Sequence, residues 1–534
     1  MENQKVRSRL DQAADEYVYD LAALVPTLAT DWGIPGHDGK LQDFSPEFYD
    51  AVGKRTQQML SDVDTLADSG DEVTAAVMRD RLGVSIELWQ CGEYLRDLNN
   101  IESPVQVIRD NLLQMAPGEA VRERLGEVPK ALSGYRESLK LSAGRGNVAA
   151  RRQVAELLKQ IDSLVETKLL DNLFEEPVPE VAAAKQAFDE FGAWLKEELA
   201  PLAPESDAVG RDRYELFSNE FVGAKVDLDE AYDWGLERLE EIIAEQQQCA
   251  RELYGSGVGV DEALQRLDSD ERYTLHGVDA LKEWMQGIAD RAVADLAGTH
   301  FDIPDKMRTI ECCIDPAGTG GIFYTPPTND FSRPGRMWWS VPSGEDTFHT
   351  WKELTTVYHE GVPGHHLQLG VALCEQDNLN LWRRVACWNS GHGEGWALYS
   401  EALMAELGYL DDPGFRMGLF DAQRLRAARV ALDIGVHLGK KTPEGGEWTF
   451  DYAKQFLRKH VAMSDANLHF ELHRYLGWPG QAPSYALGQR LWQELRNDAR
   501  AAGQSARDFH AKALAEGSIP MGILRDVVLA EAKH

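Results

Sequence analysis

The protein has 534 residues, of which 55 are Lys or Arg and 88 are Asp or Glu, so its formal net charge is −33. An electrostatic field of that sign repels nucleic acid and anionic membranes, which argues against non-specific binding to either. With 43% hydrophobic residues the chain can bury a substantial core, which excludes a disordered protein and leaves room for several ordinary domains or one large enzyme.

The N-terminal segment and the cysteines indicate a soluble protein of the cell interior. Residues 1–7 lack the apolar core and the small-residue cleavage site of a secretory signal. No run of about 18 apolar residues predicts a transmembrane helix. The six cysteines are scattered without a C-x-x-C pair, a pattern typical of reduced thiols. We therefore expect a cytoplasmic protein that binds neither nucleic acid nor a membrane.

Most of the chain shows the spacing of apolar residues that predicts amphipathic helices. Clear examples are 154–165, 231–243 and 452–461, where apolar residues recur at intervals of three and four. Prolines interrupt this pattern at 176–179 and 201–204, which predicts linkers. The fold class expected from this pattern is mainly α.

Between Pro316 and Pro342 the helical pattern gives way to glycine, proline and aromatic residues. Two short runs, 322–324 and 337–341, are rich in aromatic and β-branched residues, which predicts paired or edge strands joined by a turn-rich loop. One interpretation is a structural hairpin on a helical body. The other is a strand that binds substrate, because the segment directly precedes a cluster of histidines.

That cluster, residues 359–366, reads H-E-G-V-P-G-H-H and holds three of the 14 histidines of the chain. It resembles the zincin signature H-E-x-x-H, in which two histidines four residues apart on one helix face bind zinc and the glutamate activates water. The spacing differs, however. On a regular helix His359 and His365 would be roughly 600° apart, and His359 and His366 would lie roughly 10 Å apart along the axis.

A break in the helix would remove this difficulty. Pro363 removes a helical hydrogen-bond donor and clashes with the preceding turn, while Gly364 tolerates dihedral angles that other residues avoid. Two residues looped out would return His365 to the position of the second ligand. We therefore expect His359 and His365 to bind the metal, with His366 as the alternative second ligand.

A third ligand is expected because catalytic zinc takes three protein ligands and keeps one position for water. The segment 393–401 reads G-E-G-W-A-L-Y-S-E, with Glu394 at the start of a helical run and Glu401 on the same face. In gluzincins the third ligand is a Glu on a second helix, the role that we assign to Glu394. Glu401 would orient a ligating imidazole. The sequence thus predicts one Zn²⁺ per chain, bound by His359, His365 and Glu394.

With these motifs in view, the chain resembles the bacterial family known as domain of unknown function 885. Its marks, H-E-x-x-P-G-H-H, E-G-W-A and a late E-x-x-R-Y…W-P-G-Q…Y…G block, stand at 359–366, 394–397 and 471–488. The resemblance covers nearly the whole chain and implies similarity to helical zinc carboxypeptidases, with two helical lobes around a deep cleft and a small β-hairpin or sheet near the metal site. We accordingly expect an N-terminal helical lobe over residues 1–205 and a metal-site lobe over 206–534, forming one catalytic unit.

The late block supplies candidate donors for an oxyanion, which needs hydrogen bonds besides the metal. The candidates are His473, Arg474, Tyr475 and Tyr485. The resemblance to helical peptidases implies that a tyrosine of the C-terminal lobe is this donor, with Tyr485 the first choice and Tyr475 the second. The alternative interpretation is that Arg474 and Glu471 form a buried ion pair and the tyrosines only pack.

The aromatic segment supplies candidate substrate-binding residues. Zincin-type peptidases bind the substrate main chain along an edge strand that leads into the metal-binding helix. Trp338 and Trp339 stand at the corresponding place, just upstream of that helix. Arg333 and Arg336 are candidates for the terminal carboxylate of a peptide, which a guanidinium fork holds well, although arginines at a protein surface commonly have no such role.

These observations lead us to expect a zinc-dependent metallopeptidase that hydrolyses short peptides in the manner of a carboxypeptidase. Glu360 would take the proton of the attacking water and deliver it to the leaving amine. Tyr485, with Arg474 or His473, would stabilise the oxyanion. The alternatives are a metal-dependent hydrolase of a non-peptide amide or ester, and a peptide-binding protein with a vestigial metal site. The sequence leaves the oligomeric state open, a homodimer being one option.

Overall fold

The computed structural model describes residues 7–315, 321–342 and 344–530. The first six residues, on which the expectation of no secretory signal largely rests, lie outside the described residues, as does the start of the turn-rich loop at 316–320. The described part is mainly helical with two small sheets, so the mainly α class and the small β element are confirmed.

The first half of the chain is almost entirely helical. Its α-helices are α1 (Arg9–Leu24), α2 (Pro26–Trp32), α3 (Pro46–Leu66), α4 (Glu72–Cys91), α5 (Pro104–Gln114), α6 (Glu119–Gly144), α7 (Arg151–Glu166), α8 (Pro179–Trp194), α9 (Arg211–Val222), α10 (Leu228–Tyr254), α11 (Val260–Asp268) and α12 (Val278–Leu296).

The second half carries the strands and the remaining helices. The strands are β1 (Thr274–His276), β2 (Ile310–Asp315), β3 (Ile322–Thr325), β4 (Gly335–Ser340) and β5 (Thr347–His349). The helices are α13 (Thr350–Glu360), α14 (His365–Cys374), α15 (Ser390–Glu406), α16 (Pro413–Leu438), α17 (Phe450–His460), α18 (Asp465–Gly477), α19 (Ser484–Ala501), α20 (Ala506–Ala515) and α21 (Met521–Ala530). Short 3-10 or π segments are Tyr94–Arg96, Asp171–Leu173, Leu195–Leu199, Ala200–Leu202, Glu271–Tyr273, Asp305–Met307 and Trp382–Ala386.

The helices predicted from apolar spacing are all present, as α7, part of α10, and α17. Their ends follow from capping: the side chain of Asp227 accepts hydrogen bonds at the start of α10, and that of Thr449 does so at the start of α17. The predicted linkers also separate helices. Pro179 occupies the first turn of α8, where its missing N–H costs nothing, and a 3-10 turn covers Ala200–Leu202.

The three-stranded sheet has the order β2-β4-β3, with β2 parallel and β3 antiparallel to β4. In the pairing register, Met337 on β4 lies opposite Cys312 on β2 and opposite Tyr324 on β3. The strand that carries the tryptophans is therefore the central one, so its expected role as an edge strand is wrong. The second sheet pairs β1 with β5, directly before α13.

The apolar faces pack into several clusters that run across the sequence. One joins the first helices to the last ones and includes Leu10, Met59, Trp396 and Trp492. Another lies entirely within residues 41–203. The division of the chain into two lobes near residue 205 stays a prediction. No described helix combines the length and the apolar character that crossing a membrane requires.

Candidate metal centre

The helix that carries the first histidine breaks where the sequence predicts. Helix α13 ends at Glu360, and α14 begins at His365. A Cβ atom on Gly364 would lie 1.9 Å from the carbonyl oxygen of His359, so only glycine fits at this return of the chain. The break replaces a continuous helix and turns the two histidines toward one another, with their ring centroids 4.9 Å apart.

Three of the predicted residues converge on one point. The Nε2 atoms of His359 and His365 lie 3.3 Å and 3.5 Å from Oε2 of Glu394, and the three potential ligand atoms lie within 4.8 Å of one another. All three side chains are largely shielded from water. The Oε2 atoms of Glu394 and Glu360 are buried and have no hydrogen-bond partner among the described residues. Buried carboxylate oxygens left in this way are costly, and a cation held between these groups would satisfy them.

A second carboxylate fixes the orientation of His359. Nδ1 of His359 donates a hydrogen bond to Oε1 of Glu401 at 2.7 Å, and the hydroxyl of Thr355 donates to the other oxygen of Glu401. Because Nδ1 carries the proton, the lone pair of Nε2 can point at the cluster. This carboxylate–histidine arrangement is the usual support of a metal-binding imidazole, and it places Glu401 where the sequence predicts.

The electrostatics of the cluster reflect its buried charges. Burial opposes protonation of His359, but the nearby carboxylates of Glu394 and Glu401 outweigh burial and raise the pKa of His359 to about 10. Burial works against ionisation of Glu394 as well, yet the two histidines hold its pKa well below the usual range. Burial raises the pKa of Glu360, against the opposing influence of His359 and His365. Glu360 thus combines proximity to the cluster with increased proton affinity.

His366 lies outside the cluster, although it follows His365 directly. Its Nε2 donates to the carbonyl oxygen of Met307 at 2.9 Å, so its Nδ1 accepts from the hydroxyl of Tyr324 at 2.8 Å. Both ring nitrogens are therefore engaged elsewhere. Of the two alternatives for the second ligand, the structure brings His365 to Glu394.

Helix α15, which carries Glu394, is positioned by a close crossing with α19. A Cβ on Gly395 would lie 2.4 Å from the main chain of Gly488, so the two helices touch where both residues lack a side chain. The hydroxyl groups of Ser390 and Ser484 are 2.7 Å apart at the starts of the same helices. This crossing brings the first turn of α19, which contains Tyr485, close to the N-terminal end of α15, which carries Glu394.

The two candidate tyrosines differ in what their hydroxyl groups do. The hydroxyl of Tyr475 donates to Glu471 and accepts from Arg429, and the residue is fully buried. The hydroxyl of Tyr485 accepts a hydrogen bond from Arg474 at 3.0 Å, and no acceptor for its own proton occurs in the described part of the chain. Arg474 also contacts Glu471, 3.4 Å away, as the alternative interpretation of this block expects.

His473 belongs to a different group of side chains. Its Nδ1 donates to the carbonyl oxygen of His469 at 2.7 Å, and its Nε2 lies 3.6 Å from Glu156 on α7. Burial lowers the pKa of His473 to about 4. Although it neighbours Arg474 in sequence, it occupies another face of α18, so the structure does not bring it to Tyr485.

The candidate substrate-binding residues lie on or beside the three-stranded sheet. Trp339 is buried in the core under the sheet, and the indole of Trp338 donates to Thr325 on β3. Nε of Arg336 forms an ion pair with Glu311 at 2.7 Å. Arg333 is half-buried, and its Nε has no hydrogen-bond partner among the described residues.

A cavity of about 590 Å³ reaches the cluster of His359, His365 and Glu394 at Glu394. Its walls come from distant parts of the sequence, since Tyr94, Asp97 and Trp478 all line it. Trp388 lines the same cavity, is 44% exposed, and lies with its ring 6.2 Å from that of His365. An exposed tryptophan beside a buried polar cluster is a natural surface for an apolar part of a ligand.

Comparisons of the whole chain with known proteins identify its family and its fold. Residues 26–528 match the family described as "Bacterial protein of unknown function (DUF885)". The chain belongs to this family. No curated protein matches this DUF885 chain in sequence.

Two solved structures share the fold of this DUF885 protein. One is the crystal structure of the "putative lipoprotein" from Colwellia psychrerythraea, with a TM-score of 0.85 and 20% identity over 98% of this chain and 99% of that one. The other is a "putative lipoprotein of unknown function" from Shewanella oneidensis, with a TM-score of 0.74 and 16% identity over 98% and 100% of the two chains. At these identities the likeness shows the fold alone.

Two residues near the candidate site of this DUF885 protein, Trp388 and Tyr324, were not predicted from the sequence. Trp388 stands immediately before Asn389, the N-cap residue of α15. Its position just before the helix that carries Glu394 is the signal in the sequence that could have identified it. Tyr324 lies in a predicted strand, but nothing in the sequence links that strand to His366. Tyr324 becomes visible only through its tertiary contact with His366.

Proposed function

We propose that this protein is a zinc-dependent peptidase that hydrolyses short peptides, with carboxypeptidase-like action. The observation that carries the proposal is the convergence of His359, His365 and Glu394 within 4.8 Å, supported from behind by Glu401. Glu360 lies beside them, with its Oε1 4.0 Å from Nε2 of His359. Two imidazoles, one carboxylate ligand and an adjacent free carboxylate form the usual residue set of a zinc hydrolase.

The distances fit this metal. A tetrahedral zinc ion bound at about 2.0–2.1 Å holds its ligand atoms about 3.3 Å apart. The two distances from Glu394 to His359 and His365, 3.3 Å and 3.5 Å, agree with that value. When bound, zinc supplies Lewis-acid chemistry: it polarises the scissile carbonyl group and lowers the pKa of a coordinated water.

The remaining chemistry belongs to the side chains of this protein. Glu360 accepts the proton of the attacking water, because burial has raised its pKa toward the range of an effective base, and then delivers that proton to the leaving amine. Tyr485 donates its hydroxyl hydrogen bond to the developing oxyanion, with Arg474 fixing the phenolic oxygen from behind. Tyr475 is less suited, because its proton already goes to Glu471.

The cavity beside Glu394 limits what can enter. A volume of about 590 Å³ accommodates a few residues of an extended peptide but no folded protein. The proposal therefore includes a cleft between two lobes that admits short peptides, with Trp388 contacting an apolar side chain. A cytoplasmic location and the absence of nucleic-acid and membrane partners stay predictions.

The test replaces the proposed base while leaving the ligands in place. Glu360→Gln removes the proton acceptor but keeps the volume, so we expect it to retain zinc and lose peptide hydrolysis by at least about a hundredfold in kcat. Glu353→Gln, on the same helix but outside the cluster, is the matched control. Cleavage by Glu360→Gln at the parental rate would refute the proposal.

The substrate panel separates this proposal from its rivals. Di- and tripeptides, N-acyl amino acids and simple esters should be offered to the zinc-loaded protein at equal concentration. Faster turnover of the non-peptide amides or esters would favour a different hydrolase. Purified protein without stoichiometric metal, together with peptide binding but no turnover, would favour a binding protein with a vestigial site.

A further inference from the structure

A second group of metal-ligating side chains lies apart from the proposed catalytic centre. His469 and His473 stand four residues apart on α18, an unbroken helix, so both imidazoles project from one face. Glu156 on α7 meets them, with Oε2 3.0 Å from Nε2 of His469 and Oε1 3.6 Å from Nε2 of His473. The three potential ligand atoms lie within 4.8 Å of one another.

The hydrogen bond made by Nδ1 of His473 leaves the Nε2 atom of the same ring free to bind a metal, facing the carboxylate of Glu156. Its Nδ1 donates to the carbonyl oxygen of His469, so in the neutral ring the proton is on Nδ1 and Nε2 presents its lone pair. That lone pair faces an oxygen of Glu156, and two acceptors repel one another unless a cation lies between them. The His473 side chain is 3% exposed, so water has little access to serve instead.

A cation already close to this carboxylate is the ammonium group of Lys159. Its Nζ donates to Glu156 Oε1 at 2.6 Å, but the side chain is 64% exposed and can move into water at little cost. Lys159 neutralises Glu156 without contributing a ligand to the histidines. It therefore competes with a divalent ion for Glu156.

We propose that Glu156, His469 and His473 form a second zinc site, which fastens α7 to α18. Two imidazole nitrogens and one carboxylate oxygen suit zinc, and the distances of 3.0 Å and 3.6 Å lie on either side of the separation of about 3.3 Å expected for tetrahedral ligands. The side-chain amide of Gln153 already joins the same helices by donating to the carbonyl oxygen of His473 at 2.9 Å. Gln153 lines the cavity that reaches the first cluster, so this zinc holds one wall of that cavity in place.

The experiment counts zinc on the full chain by equilibrium dialysis. The parent, His469→Ala, Glu394→Gln and the double variant are compared. We expect His469→Ala to bind one zinc equivalent fewer than the parent, and the double variant to bind one fewer than Glu394→Gln. If the first centre binds no zinc, the parent and Glu394→Gln bind equally and His469→Ala still loses its equivalent. Unchanged zinc content in His469→Ala, in either background, overturns the second site.

A variant that is expected to bind zinc more tightly excludes misfolding as the reason for the loss of zinc in His469→Ala. Lys159→Gln removes the competing cation, so zinc should bind the second site about twofold to fivefold more tightly in the Glu394→Gln background. His276→Ala is the matched control, since this exposed histidine faces Glu271 at 3.5 Å and has no third ligand among the residues that the structure describes. The proposed site is contradicted if Lys159→Gln leaves zinc binding unchanged or weakens it. It is also contradicted if His276→Ala reduces zinc binding as much as His469→Ala does.

Discussion

The hydrogen bond between His359 and Glu401 offers the sharpest test of the proposed zinc centre. Glu401→Gln keeps the size of the side chain and can still accept the Nδ1–H hydrogen bond through its amide oxygen. It removes the negative charge that raises the basicity of the imidazole. The variant therefore separates the charge of Glu401 from its role in orienting His359.

The magnitude follows from the kind of hydrogen bond that changes. A hydrogen bond to a charged group contributes about 1.5–3 kcal/mol, and one between neutral groups about 0.5–1.5 kcal/mol. Their difference of about 1–1.5 kcal/mol corresponds to zinc affinity that is about fivefold to tenfold weaker. Glu401→Ala also abolishes the orientation of His359, and its loss should approach about a hundredfold.

The assay is competition for zinc against a chelator of known affinity, with peptide hydrolysis recorded in parallel. Glu406→Gln is the matched control, because this residue ends the same helix, pairs with Arg496 at 2.8 Å and does not contact His359. Zinc affinity in Glu401→Gln within twofold of the parent would refute the argument that the charge of Glu401 supports the metal. Equal losses in Glu401→Gln and Glu406→Gln would refute it too.

Three further outcomes are expected. Tyr485→Phe should lower kcat about a hundredfold to a thousandfold with little change in KM, as steady-state kinetics can show, since the oxyanion loses one donor; an unchanged kcat would exclude that role. Gly395→Ala should lower the free energy of unfolding in urea by about 1–3 kcal/mol, because its Cβ meets the main chain of Gly488, whereas Gly126→Ala, where nothing lies near the added methyl group, should not be destabilising. Zinc affinity should rise about tenfold per pH unit between about pH 7 and 9, because His359 with a pKa of about 10 must release its proton to bind; competition titrations that show no such slope would contradict this.

The helix break and the histidines on either side of it could be predicted from the local sequence. Pro363 and Gly364 cannot continue a regular helix, and α13 does end before them. That break brings His365 rather than His366 beside His359, which spacing alone left open. What decides between the two is tertiary, since Tyr324 and Met307 engage the ring of His366.

Long-range pairing is the part of the fold that the sequence could not supply. The predicted pairing of the segments 322–324 and 337–341 is confirmed by the antiparallel pair β3 and β4, but the parallel pairing of β4 with β2 was not predicted. No local pattern says whether a strand lies at the edge or the centre of a sheet. The cavity walls and the contact of His473 with Glu156 depend on such distant contacts as well.

The two histidine pairs show why spacing is a weak guide to a catalytic metal. His469 and His473 have the regular four-residue spacing, whereas His359 and His365 meet only because their helix is broken. The difference lies in what surrounds each pair. In the broken-helix pair the carboxylate partner, Glu394, has a buried oxygen without a hydrogen bond, while Glu156 is already neutralised by an exposed lysine. The first pair therefore gains more from a cation, and zinc added in limiting amounts should occupy it before the second.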